Sequence, residues 1–201
     1  MLAIAGGKGG VGKTTVALGI AVALAARRRD PIVVDADVDM PNLHLLADVP
    51  DGGVTALAEG TPVDEAASPS ARYDGVRVLG AHHGAPIDRA LRTLVVDDPV
   101  LLDVPAGASP DAVDPLRVAD RAVVVTTPDP QSVRDAEKTA AMATAVGTPV
   151  VAWVVSRADA VPQSVATAAG TTPTVPVPAV RAPPLDARRA FDAAASAWVN
   201  A

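Results

Sequence analysis

A doubly wound α/β domain, with a mainly parallel sheet between layers of helices, is the fold this sequence predicts, on three observations. Short β-branched apolar runs alternate with segments of helical period, the order expected of repeated strand–helix units. Those runs carry no regular polar face, so they read as strands covered on both sides. A glycine-rich stretch, GGKGGVGKTT at residues 6–15, joins the first strand to the first helix. That is the setting in which such a loop closes around phosphate.

The elements follow in order. Leu2–Ala5 is the first strand. Thr15–Ala26 is predicted as a helix, because Ala17, Ile20, Ala21 and Leu24 fall at i, i+3, i+4 and i+7 on one face. Ile32–Val34 is a β-branched strand after the Asp30-Pro31 turn. Further strands are predicted over 76–79, 99–102, 121–126 and 150–155, each bounded by Gly, Pro or charge. Helices are predicted over 54–60, 86–95, 111–118, 129–146, 162–169 and 184–199. Either Asp129 or Ser132 stands where the 129–146 helix needs an N-cap. A proline-rich piece from Thr171 to Pro184 interrupts the pattern but is too short for a domain linker. Residues 1–201 are therefore expected to form one domain.

Composition narrows the function. Of 23 acidic residues 20 are Asp, of 17 basic residues 14 are Arg, and the net charge is −6. A GC-rich genome and adaptation to high salt both account for that bias. The acidic balance argues against nonspecific DNA binding, which needs clustered Lys and Arg against phosphate. The sequence has no cysteine, which excludes disulfides, thiolate metal sites and cysteine-held iron–sulfur clusters. No apolar run reaches the roughly 18–20 residues of a membrane span. The first strand leaves no room for a secretory leader, so a cytoplasmic protein is expected.

Three stretches carry chemistry. Gly7-Lys8-Gly9-Gly10-Val11-Gly12-Lys13-Thr14, followed by Thr15, fits G-x-x-x-x-G-K-[ST]. Its glycines let main-chain N–H groups converge on phosphate oxygens, and the helix N-terminus adds its dipole. Lys13 is placed for the β- and γ-phosphates and the Thr14 hydroxyl for Mg²⁺. Lys8 is a second lysine in a loop that needs one, in a chain whose only other lysine is Lys138. Asp35-Ala36-Asp37-Val38-Asp39 directly follows a buried strand. Carboxylates at the C-terminal end of a parallel strand face the ligand crevice, and hard oxygen ligands there suit Mg²⁺. Asp39 reads as a solvated acid or a cap. Val100–Gly107 is an apolar run ending in Asp103, the pattern of a Walker B strand.

Together these stretches resemble the MinD/ParA group of P-loop ATPases. KGGVGKTT is similar to that group's deviant Walker A motif. The resemblance implies that Lys8 is the signature lysine, reaching the phosphates held by the other subunit of an ATP-bound dimer. Asp35 and Asp37 resemble the D-x-D of switch I, implying that Asp35 supports the magnesium shell and Asp37 positions the attacking water. Asp103-Val104-Pro105-Ala106-Gly107 resembles switch II, implying that Asp103 holds a magnesium-bound water and Gly107 offers its N–H to the γ-phosphate. Ala119–Arg121 and Thr126–Ala136 also look like the family, so the similarity runs from residue 2 to about 158.

Pro41-Asn42-Leu43-His44-Leu45 is similar to a segment of archaeal MinD-like ATPases that carry an inserted ferredoxin domain. Without cysteine, the cluster-linked function of that insertion is not carried over. His44 reads as structural and the tandem His82-His83 as incidental loop residues. Ser156-Arg157 stands where the family has an Asn-Arg pair whose Asn reads adenine. Adenine recognition therefore falls to Ser156, the backbone and the Pro176–Pro184 segment.

The resemblance implies ATP and Mg²⁺ as cofactors, slow partner-stimulated hydrolysis, an ATP-dependent homodimer, and an activating or cargo protein. A ParA-like DNA partition ATPase and a non-hydrolysing ATP-binding assembly regulator are the alternatives. Many members end in a basic amphipathic helix that docks on membranes. The tail here sets Leu185, Phe191, Ala194, Ala195 and Trp198 near one face, but most of the apolar positions are alanine and two basic residues accompany two acids. Support for a peripheral membrane role is weak, and a helix packed on the sheet is expected.

Overall fold

The computed structural model describes residues 1–107, 110–180 and 188–199. Its strands are β1 Leu2–Ala5, β2 Ile32–Asp35, β3 Ser68–Pro69, β4 Arg77–Leu79, β5 Val100–Asp103, β6 Arg121–Thr126, β7 Val150–Ser156 and β8 Thr174–Val177. They form one sheet in the order β3-β4-β2-β5-β1-β6-β7-β8. All pairings are parallel except the two-residue β3–β4 edge. The helices are α1 Lys13–Ala25, α2 Leu43–Ala47, α3 Gly53–Ala58, α4 Val63–Ala66, α5 Ile87–Thr93, α6 Pro110–Val118, α7 Pro130–Ala145, α8 Gln163–Ala169 and α9 Arg188–Val199.

The two-residue period of a strand sorts the core into layers. Leu2 and Ile4 of β1 lie in one cluster with Val33, Leu101, Val123 and the buried faces of α1 and α9. Ala3 and Ala5 turn to the other face, against Val54 and Leu57 of α3, Leu91 of α5 and Leu116 of α6. Helices α7 and α8 cover the far flank, over Val124, Trp153 and Val155. Both faces are covered, which is why the strands read as continuous apolar runs.

Helix α1 is buried beyond the single face its spacing predicts. Val16, Leu18 and Ala23 are buried as well as Ala17, Ile20, Ala21 and Leu24. The cause is α9, which lies along α1 and seats the buried Phe191 on Gly19, where a Cβ would come within 2.5 Å of the ring. Arg27 Nη2 donates to the Asp192 carbonyl (3.0 Å) and to Ser196 Oγ (2.8 Å), fixing the same pair of helices. The apolar face of the tail is thus occupied by its own chain, as expected. The predicted start of that helix at 184, and Leu185, lie outside the described residues.

Asp129 is the cap of α7: its Oδ1 accepts from Gln131 N and Ser132 N, each at 3.0 Å, with Pro130 in the first turn. Ser132 instead bridges inward, 2.9 Å from Thr126 Oγ1. Four elements have no counterpart in the sequence reading: α2, α4, β3 and β8. The first three are too short to show a period. Strand β8 contains Pro176, which is tolerated because β8 is the edge of the sheet and pairs only with β7. No helix among the described residues is long and apolar enough to cross a membrane.

Candidate functional site

The C-terminal ends of β1, β2 and β5 lie side by side and place the site. β1 turns directly into the glycine loop, and Gly12 makes the final bend at φ +96°, a left-handed conformation that favours glycine. Helix α1 then begins at Lys13, earlier than its apolar spacing shows, so Lys13 and Thr14 occupy its first turn. Lys13 is buried although charged, whereas Lys8 is exposed and forms no hydrogen bond or ion pair among the described residues. Lys8 lies over α7. The Lys138 ammonium and Gln131 amide hold the Asp135 carboxyl below the usual carboxylate range, with a smaller contribution from the Lys8 charge.

β5 extends one residue past its predicted end, and this brings two acids together. Asp35 of β2 is in register with Asp103 of β5, and Asp103 with Ile4 of β1. Neighbouring strands are about 5 Å apart, so the two carboxyls share one buried position. Burial first, and the Asp103 charge second, push Asp35 up to about 8, against the Leu43 N–H that donates to its Oδ2 at 3.1 Å. Burial pushes Asp103 up to about 6, while the Thr14 hydroxyl and the Lys13 charge pull it down. One oxygen of each, Asp35 Oδ1 and Asp103 Oδ1, is buried without a hydrogen-bond partner. Orphaned carboxylate oxygens beside a threonine hydroxyl are the hard donors a Mg²⁺ ion and its waters require, so these residues fit the ion.

Asp37 lies on the loop beyond β2, where its Oδ1 accepts from Met40 N at 3.2 Å. It lines an open cleft of ≈ 480 Å³ with Gly9, Gly10, Gly12, Lys13, Thr14, Thr15, Asp103 and Arg157. Gly7 sits below it, against the main chain of Asp135, and Val11 is buried under the loop. Asn42, given no role of its own within the Pro41–Leu45 segment, accepts at Oδ1 from Thr14 Oγ1 at 3.2 Å and joins the switch loop to α1. Met40 and Leu45, at 76% and 65% exposure, give the cleft an apolar rim. His44, on α2, has an enclosed Nδ1 without a partner among the described residues.

Three of the predicted contact residues hydrogen-bond to main chain. Ser156 is buried, and its one hydroxyl proton is directed to main chain, the Val11 carbonyl and, at 3.2 Å, that of Thr126. It braces the glycine loop. Arg157, at φ +57°, does likewise, with Nη2 2.7 Å from the Gly10 carbonyl. The Gly107 N–H points to the Gly6 carbonyl at 3.3 Å, so a phosphate contact would have to exchange that bond. A second, smaller cleft (≈ 130 Å³) lies beside the loop, between Thr15, Arg157 and Val177–Val180.

A glycine loop between a buried strand and a helix, with a buried lysine at the helix start, is the arrangement that binds phosphate, and it defines the class: a P-loop nucleotide-binding domain of α/β fold. The sequence profile of the CobQ/CobB/MinD/ParA nucleotide binding domain matches residues 2–171, and the chain belongs to that family. An uncharacterised ATP-binding protein of Methanocaldococcus jannaschii is 32% identical over 173 residues, 78% of this chain and 63% of that protein. The septum site-determining protein MinD of Escherichia coli is 30% identical over 152 residues, 69% of this chain and 56% of that protein. The chain therefore spans less than two thirds of these relatives. The crystal structure of the Pyrococcus furiosus cell division ATPase MinD superposes with a TM-score of 0.82 at 27% identity, covering 99% of this chain and 98% of that one.

Proposed function

We propose that the chain is a MinD-like ATPase, one domain over 1–201, whose nucleotide state governs homodimer formation and thereby the positioning of a partner protein. The observation that carries this reading is the contrast between its two loop lysines. Lys13 is buried in its own site, whereas Lys8 is exposed beside it with no partner among the described residues. A cation left outside a complete phosphate loop is suited to phosphates held by a second copy.

Each side chain then has a task. Lys13 and the loop N–H groups hold the phosphates, Thr14, Asp35 and Asp103 hold the metal, and Asp37 orients water at the mouth of the cleft. Bound Mg²⁺ would neutralise phosphate charge and relieve the repulsion between Asp35 and Asp103. Because little covalent chemistry falls to the protein, positioning and charge account for the rate. Turnover is slow without a partner and yields ADP and phosphate. The relatives named as an ATP-binding protein and a cell division ATPase support ATP as the nucleotide. A net charge of −6 supports a protein partner over DNA.

Sedimentation and phosphate release with MgATP, alone and with DNA or liposomes, test the reading. Dimerisation on ATP with slow phosphate release is expected. A monomer that neither changes mass nor releases phosphate would overturn it, and shift of DNA or liposomes into the complex would favour a different surface of action.

A further inference from the structure

Asp37 can hold a water in one place only if its loop, residues 36–42, is itself held. The ends of that loop are tied at the site: Ala36 N donates to the Asp103 carbonyl (3.1 Å), and Asn42 accepts from Thr14. Its middle is tied from elsewhere. The Gly84 N–H donates to the Val38 carbonyl at 2.9 Å, and His83 Nδ1 lies 3.2 Å from the Asp39 carbonyl. A carbonyl only accepts, so that ring carries its hydrogen on Nδ1.

The residue before it secures the tie. His82 Nδ1 is 3.0 Å from the His83 carbonyl, again as donor, and His82 Nε2 is 2.8 Å from Thr55 Oγ1 on α3. A line of hydrogen bonds therefore runs from α3 through His82 and His83 to the main chain two residues beyond Asp37. The tandem histidines, incidental by sequence, are the outer fastening of the switch loop.

We propose that His83 is a positioning residue for Asp37, fixing its loop through the Asp39 carbonyl, with His82 anchoring the fastening to Thr55. The effect on turnover rests on the hydrolytic reading above; the fastening itself does not. His83 is exposed, so replacing it should not disturb the fold. His83→Ala removes the donor. His83→Asn keeps an N–H near the position of Nδ1, and His83→Gln sets it one bond farther out.

The experiment combines steady-state ATP hydrolysis with amide hydrogen exchange of the nucleotide-free protein. In His83→Ala, kcat should fall about fivefold, the weight of one net hydrogen bond, with KM for ATP unchanged because the glycine loop is untouched. Exchange at Met40 and Gly84 should rise by a similar factor. His83→Asn should recover most of both losses and His83→Gln should not. Wild-type kcat and exchange in His83→Ala would overturn the proposal, as would a His83→Asn protein as impaired as His83→Ala. If the wild type proves unable to hydrolyse ATP, the proposed function has failed, and exchange in His83→Ala alone decides the fastening: a rise upholds it and no change overturns it.

Discussion

Replacing Asp35 by Asn should stabilise the nucleotide-free protein at alkaline pH. Asp35 is raised from 3.8 to about 8, and Asp103 from 3.8 to about 6. Between those limits the folded chain binds more protons than the unfolded chain, so the free energy of unfolding falls as pH rises. For Asp35 the loss accumulates from about pH 4 and is complete above about pH 8. One pKa unit is worth about 1.4 kcal/mol, so this carboxyl alone costs on the order of 5 kcal/mol once ionised. At about 2–4 °C per kcal/mol for a chain of this size, the melting temperature should drop by on the order of 10 °C from pH 5 to pH 8.5. Asp35→Asn keeps an oxygen for the Leu43 N–H and places an amide beside Asp103. Its melting curve should be flatter with pH and lie above the wild type at pH 8. Calorimetry in EDTA from pH 5 to 8.5 measures both slopes. MgATP should reverse the order, because the metal stabilises the ionised pair and Asn cannot replace the carboxylate. A variant that follows the wild-type slope between pH 6 and 8.5 would show that Asp35 carries no raised pKa.

Ser156→Ala leaves the Val11 and Thr126 carbonyls without their shared donor, which should cost about 1–2 kcal/mol. Titration with ATP and GTP should show both weakened alike, by about tenfold; a loss confined to ATP would return Ser156 to base recognition. Phe191→Ala empties the contact between α9 and α1 and should destabilise by about 3–5 kcal/mol, read from denaturant unfolding. A loss below about 1 kcal/mol would show that α9 does not hold α1 through that ring.

The glycine loop, Lys13, Asp35, Asp37 and Asp103 were legible because their chemistry is local: each lies at a strand end, in a motif of fixed spacing. What those residues do to one another was not. Asp35 meets Asp103 only because β5 enters the sheet between β2 and β1, a matter of topology with no local signature. Ser156 reaches the Val11 carbonyl across 145 residues of sequence, a brace with no local signature. The burial of α1 was understated because its second neighbour meets it at Gly19, where a missing side chain makes the fit. Strand β8 was hidden by Pro176, whose meaning depends on lying at the edge. His83 gave no signal at all, since its partner is a main-chain carbonyl that any residue could supply.

In the proposed function two chains complete one hydrolytic site through Lys8. Sedimentation velocity of Asp37→Ala with MgATP, beside the double variant Lys8→Ala/Asp37→Ala, tests it most directly. Asp37→Ala, expected to bind ATP without hydrolysing it, should accumulate as a dimer. The double variant should bind ATP and stay monomeric. A double variant that dimerises as well as Asp37→Ala would contradict it.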